Sequence, residues 1–365
     1  MLPMPRHLLP LLALITLLAG PARAETTLAV MERVADWQLA HPAQWKTTDW
    51  HNAAFYAGVM ALGEVSASPR FVDAMRKMGE GNHWQLGDRP YHADDHAVGQ
   101  TYADLYRLTP DPRLIAPMRA SFDYILAHPK DDNLLFDDLK NPGFLDRWSW
   151  CDALFMSPTA WARLARVTGD SRYLDFAINK WWVTSDYLYD KTVHLYYRDS
   201  RYFTQREKNG RTVHWARGNG WVMGGLVRML QVLPADHPAR ARFLTQYREM
   251  AERIASLQSS DGFWRASLLD PTSFPMQESS GTGFFCYALA WGVNEGVLDR
   301  AHFAPVADKA WAALLTCVNP DGRLTHVQPV GMTPVTFDPN TSEPYGIGAF
   351  LLAGREMIRL HPSTP

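Results

Sequence analysis

Twelve stretches of this chain carry apolar residues at helical spacing, and the connections between them alternate strictly between short and long. The stretches are Leu28–Ala40, Asn52–Glu64, Arg70–Met78, Asp94–Leu108, Leu114–His128, Asp152–Val167, Arg172–Trp182, Gly218–Val232, Ala239–Leu257, Thr282–Gly296, Ala304–Val318 and Tyr345–Leu360. Five connections are tight turns rich in Asp, Pro and Ser, at 66–69, 109–112, 168–171, 234–238 and 298–302. Six are long: 41–51, 79–93, 129–151, 183–217, 258–281 and 319–344. Helices joined by tight turns lie antiparallel, so every long connection has to emerge at the same end of the molecule. Hairpins that cannot bury both faces alone must stack on one another. The segments that follow long connections, such as GWVMGGLVRMLQVL, GFFCYALAWGV and IGAFLLAG, are apolar on all sides and belong inside a closed ring. An all-α fold follows, an (α/α)6 barrel of six helical hairpins. Within 183–217 the run from Thr192 to Arg198 alternates and Asn209-Gly210 reads as a hairpin turn, which predicts a small β-hairpin excursion near the mouth.

Apolar residues make up 47% of the chain, ample for one large core, and the formal net charge of −2 gives no reason to expect nucleic acid or an anionic membrane as partner. Residues 1–24 have the form of an export leader: Arg6 and His7, the apolar run Leu8–Leu18, and Ala22-Arg23-Ala24 before Glu25. Its apolar run is too short to span a bilayer. Cleavage after Ala24 removes Arg6 and Arg23, takes the net charge from −2 to −4, and leaves residues 25–365 as a single barrel domain in the periplasm or secreted to the medium. The three cysteines, Cys151, Cys286 and Cys317, are an odd number and are expected as buried thiols.

The chemistry-bearing residues collect where the inner segments begin. RWSWCDALFM, residues 147–156, sets Asp152 among Trp148, Trp150, Leu154 and Phe155. A carboxylate there is costly to bury unless it is paired or holds a proton. The plain alternative is a helix cap, an Asp accepting backbone N–H bonds. Trp50, His51 and Asn52 open the first inner segment, Asp94, Asp95 and His96 the second, Trp150 and Asp152 the third, Trp215, Arg217, Asn219 and Trp221 the fourth, Glu278–Thr282 the fifth, and Glu343 and Tyr345 the sixth. Caps alone do not gather Trp, Arg and His in this way, whereas aromatic walls around titratable groups suit a sugar site. The same residues also admit plain readings: Asp94 and Asp95 as caps, Arg217 as a buried ion-pair partner, His194 and His214 as satisfied loop histidines. No His/Cys set at ligand spacing, no G-x-S-x-G and no phosphate-cradling glycine loop is present, so neither a metal nor a cofactor is expected.

Taken together, RWSWCDALFM, HWARGNGWVMGGL, DDHAVGQTYADLY, ESSGTGFFCYALAWGVNEG and EPYGIGAFLLAG resemble glycoside hydrolase family 105 over about residues 27–360. That family comprises unsaturated rhamnogalacturonyl and glucuronyl hydrolases and is related to family 88. The resemblance implies an (α/α)6 barrel and an exo-acting enzyme working behind a polysaccharide lyase. Its substrate would be an oligosaccharide ending in a 4-deoxy-4,5-unsaturated uronic acid, whose C4=C5 vinyl ether is hydrated. It also implies Asp152 as general acid and base and Asp95 as the second carboxylate. The implied substrate contacts are Asn52, His96, Trp150, Arg198, Trp215, Arg217, Trp221, Ser280 and Tyr345. One departure is Tyr197-Arg198-Asp199-Ser200, where many members of the family carry a histidine. It leaves glucuronan, ulvan or arabinogalactan fragments as open as rhamnogalacturonan. A conventional two-carboxylate uronidase and a non-catalytic carbohydrate-binding protein are the alternatives on the same barrel.

Overall fold

The computed structural model describes residues 25–136 and 142–362; the leader expected over residues 1–24 lies outside them. The described helices are α1 (Thr27–Ala40), α2 (Trp50–Gly63), α3 (Arg70–Gly81), α4 (Ala93–His96), α5 (Gly99–Leu108), α6 (Ala116–Ala127), α7 (Ala153–Met156), α8 (Pro158–Thr168), α9 (Ser171–Leu188), α10 (Ala216–Leu230), α11 (Arg240–Ser256), α12 (Ser279–Asn294), α13 (Arg300–Leu315) and α14 (Pro344–Leu360). Around the inner ring α2 packs on α5, α5 on α8, α8 on α10, α10 on α12, α12 on α14, and α14 back on α2. The ring closes, as an (α/α)6 barrel requires.

Burial separates the two layers. All 15 residues of α10 are buried, and α12 leaves only its last residue, Asn294, partly exposed. The outer α3 buries only Phe71, Met75 and Gly79, and the outer α6 only Met118, Phe122 and Ile125. An apolar stripe puts a helix outside, and an apolar circumference puts it inside. Five hairpins are continuous in sequence. The sixth is made by the two ends of the chain, α1 lying against α14, which accounts for five tight turns among six helix pairs.

Two inner segments are broken near their starts. The expected helix 94–108 divides into α4 and α5 around Ala97 and Val98, and 152–167 divides into α7 and α8 at Ser157. Pro158 explains the second break, because it has no N–H to continue the ladder of α7 and suits the first turn of α8. The excursion is smaller than its alternating pattern suggests: β1 (Tyr189–Asp190) pairs antiparallel with β2 (Leu195–Tyr196), and a separate bridge joins Arg206 to Thr212 across the Asn209-Gly210 turn. All three cysteines are buried free thiols.

The close approach of α2 and α14 depends on glycine. A Cβ on Gly348 of α14 would stand 2.2 Å from the Ala54 carbonyl oxygen of α2, and one on Gly58 would stand 2.6 Å from the Gly348 oxygen. Since the obstacle is backbone, neither helix can yield by turning a side chain. Gly348→Ala is expected to destabilise the protein by about 3 kcal/mol, the upper part of the range for overpacking, read as a lower urea midpoint at unchanged m-value.

Candidate active site

Asp152 occupies the N-cap position of α7, yet its side chain makes no capping hydrogen bond. The cap reading therefore fails, although neighbouring helices show what a cap looks like: Asp49 accepts from the His51 N–H, and Glu278 from those of Ser280 and Gly281. Asp152 is 8% exposed. Its Oδ2 accepts the Cys151 thiol at 3.4 Å and lies 3.6 Å from Arg198 Nε. Burial raises its pKa, against the pull of the Arg198 and Arg217 charges.

The carboxyl that feels the charge of Asp152 is Asp94, the neighbour of the expected Asp95. Asp95 is held by Arg89, whose backbone N–H donates to Oδ2 at 2.7 Å and whose Nη2 donates to Oδ1 at 2.5 Å. That ion pair closes the 87–95 loop, where Gly87 N–H also donates to the Asp95 carbonyl. Consecutive positions on a helix project about 100° apart, so Asp94 faces elsewhere. Burial pushes its carboxyl up to about 8, and the charge of Asp152 is the next cause. Two carboxyls in one desolvated field cannot both ionise easily, so the pair retains a proton near neutrality.

Arg198 reaches this field through the excursion. The Cys151 N–H donates to the Arg198 carbonyl at 2.8 Å, tying segment 195–200 to the residue before Asp152, and Arg198 Nη1 donates to Asp199. Arg217 is fully buried between the rings of Trp215 and Tyr345, at 4.4 and 4.8 Å, and donates to the carbonyls of Gln328 and Pro329. Its partners are uncharged, and its Nε has none. Trp150 lies 5.0 Å from the His92 ring, and Trp50, partly exposed, stacks on Tyr345 at 5.3 Å and meets Trp221 edge-on at 5.9 Å.

Three of the expected contacts have their polar atoms engaged within the protein. His96 has both ring nitrogens occupied, by Ser157 Oγ at 2.6 Å and the Pro90 carbonyl at 2.7 Å, and its burial keeps it neutral. The hydroxyl of Ser280 donates to the Glu278 cap beneath it. The amide of Asn52 donates to the carbonyls of Trp45 and Lys46, fastening the first long connection. Ser280 and Asn52 found partners close by in sequence and His96 one at Pro90 and one across the ring at Ser157, which a reading of positions at the mouth cannot foresee.

Residues 24–361 match the profile described as Glycosyl Hydrolase Family 88. The chain belongs to glycosyl hydrolase family 88. It is 37% identical to an unsaturated 3S-rhamnoglycuronyl hydrolase of Alteromonas sp. (strain LOR), over 91% of this chain and 86% of that one. It is 36% identical to the protein of the same name from Formosa agariphila, over 91% and 90%. A solved structure titled a polysaccharide lyase superposes with a TM-score of 0.83 at 32% identity, covering 93% of this chain and 98% of that one. A possible GH105 member from Salmonella enterica superposes at 0.76 with 19% identity, over 94% and 97%, which speaks for the fold alone.

This family 88 glycoside hydrolase also uses residues that sequence position did not single out. Gln328 accepts Arg217 Nη1 and the Tyr345 hydroxyl at its carbonyl and Trp215 Nε1 at its side-chain oxygen, while its own N–H donates to Glu278. One residue of the last long connection thus fixes three candidate contacts. Its only trace in the sequence is a polar residue between the apolar Val327 and Pro329. His51 lies stacked between Trp45 and Trp50, at 4.0 and 3.7 Å, and is bonded to Asp49.

The two neighbouring aspartates should respond oppositely to substitution. Asp94 binds its proton more tightly folded than unfolded, so this contribution is present below about pH 4 and is lost as pH rises towards about 8. Asp94→Asn escapes that loss, and its Tm is expected to exceed wild type increasingly from about pH 5 to pH 8. Asp95→Asn breaks the Arg89 pair and is expected to lower Tm at both. Differential scanning fluorimetry of the two variants across this range checks the assignment.

Proposed function

We propose that this enzyme removes a 4-deoxy-4,5-unsaturated uronic acid from the non-reducing end of lyase-generated oligosaccharides by hydrating the C4=C5 vinyl ether. The observation that carries the reading is the pair Asp94 and Asp152, whose carboxyls burial pushes up, that of Asp94 to about 8. Protonating an enol-ether carbon near neutral pH needs a carboxylic acid that still holds its proton there. In this mechanism Asp152 delivers that proton to C4. As a carboxylate it then takes a proton from the water adding at C5, and the resulting hemiketal opens and expels the remaining chain. Asp94, whose carboxyl burial and the charge of Asp152 push up to about 8, holds the proton of the pair at rest and shares it with Asp152 for delivery. Arg217, a buried cation whose partners are two carbonyls, binds the uronate carboxylate, and Trp50, Trp150 and Trp221 supply apolar faces for the ring.

The names of the two relatives support an unsaturated rhamnoglycuronyl fragment as substrate, of the kind ulvan yields, over rhamnogalacturonan. Arg198, standing where many family 105 members carry a histidine, then serves as an anion contact beside the reacting bond. Kinship with family 105 within the same barrel superfamily belongs to this proposal, as does export through the leader at residues 1–24, which would place the enzyme with its polymer outside the cytoplasm.

The test is incubation with lyase-generated oligosaccharides from several polyuronides, following the loss of the ultraviolet band of the conjugated double bond. Wild type is expected to erase it. Asp152→Asn should lower turnover by several orders of magnitude with the helical circular dichroism unchanged. Cleavage of saturated uronides at comparable rates would instead establish a conventional two-carboxylate uronidase.

A further inference from the structure

A cavity of about 610 Å³ opens at the end of the barrel opposite Asp152, where the tight turns gather. Its wall carries seven arginines against four carboxylates. On one side Arg355 and Arg359 share Glu356 and reach Glu64 and Glu295, so cations and anions there are matched. Arg240 donates to the carbonyls of Leu230 and Leu233 at the end of α10, an ordinary C-terminal cap.

Around Asp104 the cations outnumber the carboxylate they bond. Arg163 Nε and Arg166 Nη2 each lie 3.2 Å from Asp104, and Arg228 Nη2 lies 3.6 Å from it. Three guanidinium groups thus converge on one carboxylate. Arg163 and Arg228 are 3% and 4% exposed. Arg228 is locked in place: its Nε donates to Gln100 Oε1 at 2.6 Å, and Gln100 Nε2 donates to the Phe155 carbonyl at 3.0 Å. Its Nη2 makes no hydrogen bond. Burial and the neighbouring Arg163 push the Arg228 guanidinium down to about 10 and lower Arg166 as well, the mark of cations held together without enough counter-charge. The C-termini of the inner helices end here and offset part of this excess, and at the end of α10 Arg240 and Arg163 already take up carbonyls.

We infer that Arg163, Arg166 and Arg228 form a binding site for a small multivalent oxyanion, sulfate or phosphate, at the base of the barrel and separate from the carboxylate pair. Planar donors fixed by second partners around a recess are what such an anion requires, and the surplus charge supplies the attraction.

The test is thermal shift and titration calorimetry with inorganic sulfate, then inorganic phosphate, with sodium chloride holding ionic strength constant. Wild type is expected to show saturable stabilisation and one site per chain. Arg166→Ala, at a side chain one-third exposed and so tolerant of removal, should weaken affinity at least tenfold, and Arg228→Met should abolish it, while turnover in Arg166→Ala stays at the wild-type value. Stabilisation no greater than chloride gives would overturn the inference. So would affinity unchanged in Arg166→Ala, or affinity lost in Arg198→Ala at the mouth, which would assign the anion to the carbohydrate site. A failure of the substrate proposal leaves this test unaffected, because its readouts are stability and heat of binding.

Discussion

Helices without a polar face have to be buried by other helices, and six of them in this chain satisfy that need by closing on one another. The closure of α2, α5, α8, α10, α12 and α14 into a ring fixes the direction of each. Because each inner helix runs from a long connection to a tight turn, all six point the same way, and their electrostatic ends separate. The N-terminal end collects Asp94, Asp152, Glu278 and Glu343, and the C-terminal end collects arginines. Both follow from partial charges at helix termini. The polarity of the whole molecule is therefore a consequence of hydrophobic burial rather than of any single charged contact.

Within that polarity the carboxylate pair is an exception that has to be maintained. A helix N-terminus favours an ionised Asp, and the arginines at 198 and 217 favour it further. Burial opposes all three and prevails, because Asp152 is almost fully withdrawn from water and has no capping hydrogen bond. Asp95, one residue along, shows the other outcome: with Arg89 bonded to both oxygens it is an ordinary ion pair that closes a loop. The same residue type, at adjacent positions, is assigned two different tasks by what surrounds it.

The long connections do more than present side chains. The last of them hands Gln328 to Arg217, Trp215 and Tyr345 at once, and the excursion after α9 brings Arg198 beside Asp152 through a backbone bond to Cys151. These contacts join segments more than one hundred residues apart in one case and about fifty in the other. They make the aromatic and cationic walls rigid, as positioning of a sugar demands.

The alternation of apolar segments with short and long connections determined the barrel, the inner and outer layers, and the end of the molecule at which Asp152, Arg217 and the tryptophans gather, because helical periodicity and chain length are local properties. The sequence could not decide which of two consecutive aspartates feels the charge of Asp152, nor that His96, Ser280 and Asn52 have their hydrogen bonds taken by the protein itself. Those outcomes depend on the rotation of α4 about its axis and on partners brought by distant loops. Nor could it reveal the three arginines around Asp104, since they come from α8 and α10 and meet α5 only when the ring closes. Pairing between charges is a matter of distances across the fold, and distances of that kind exist only once the tertiary structure has formed.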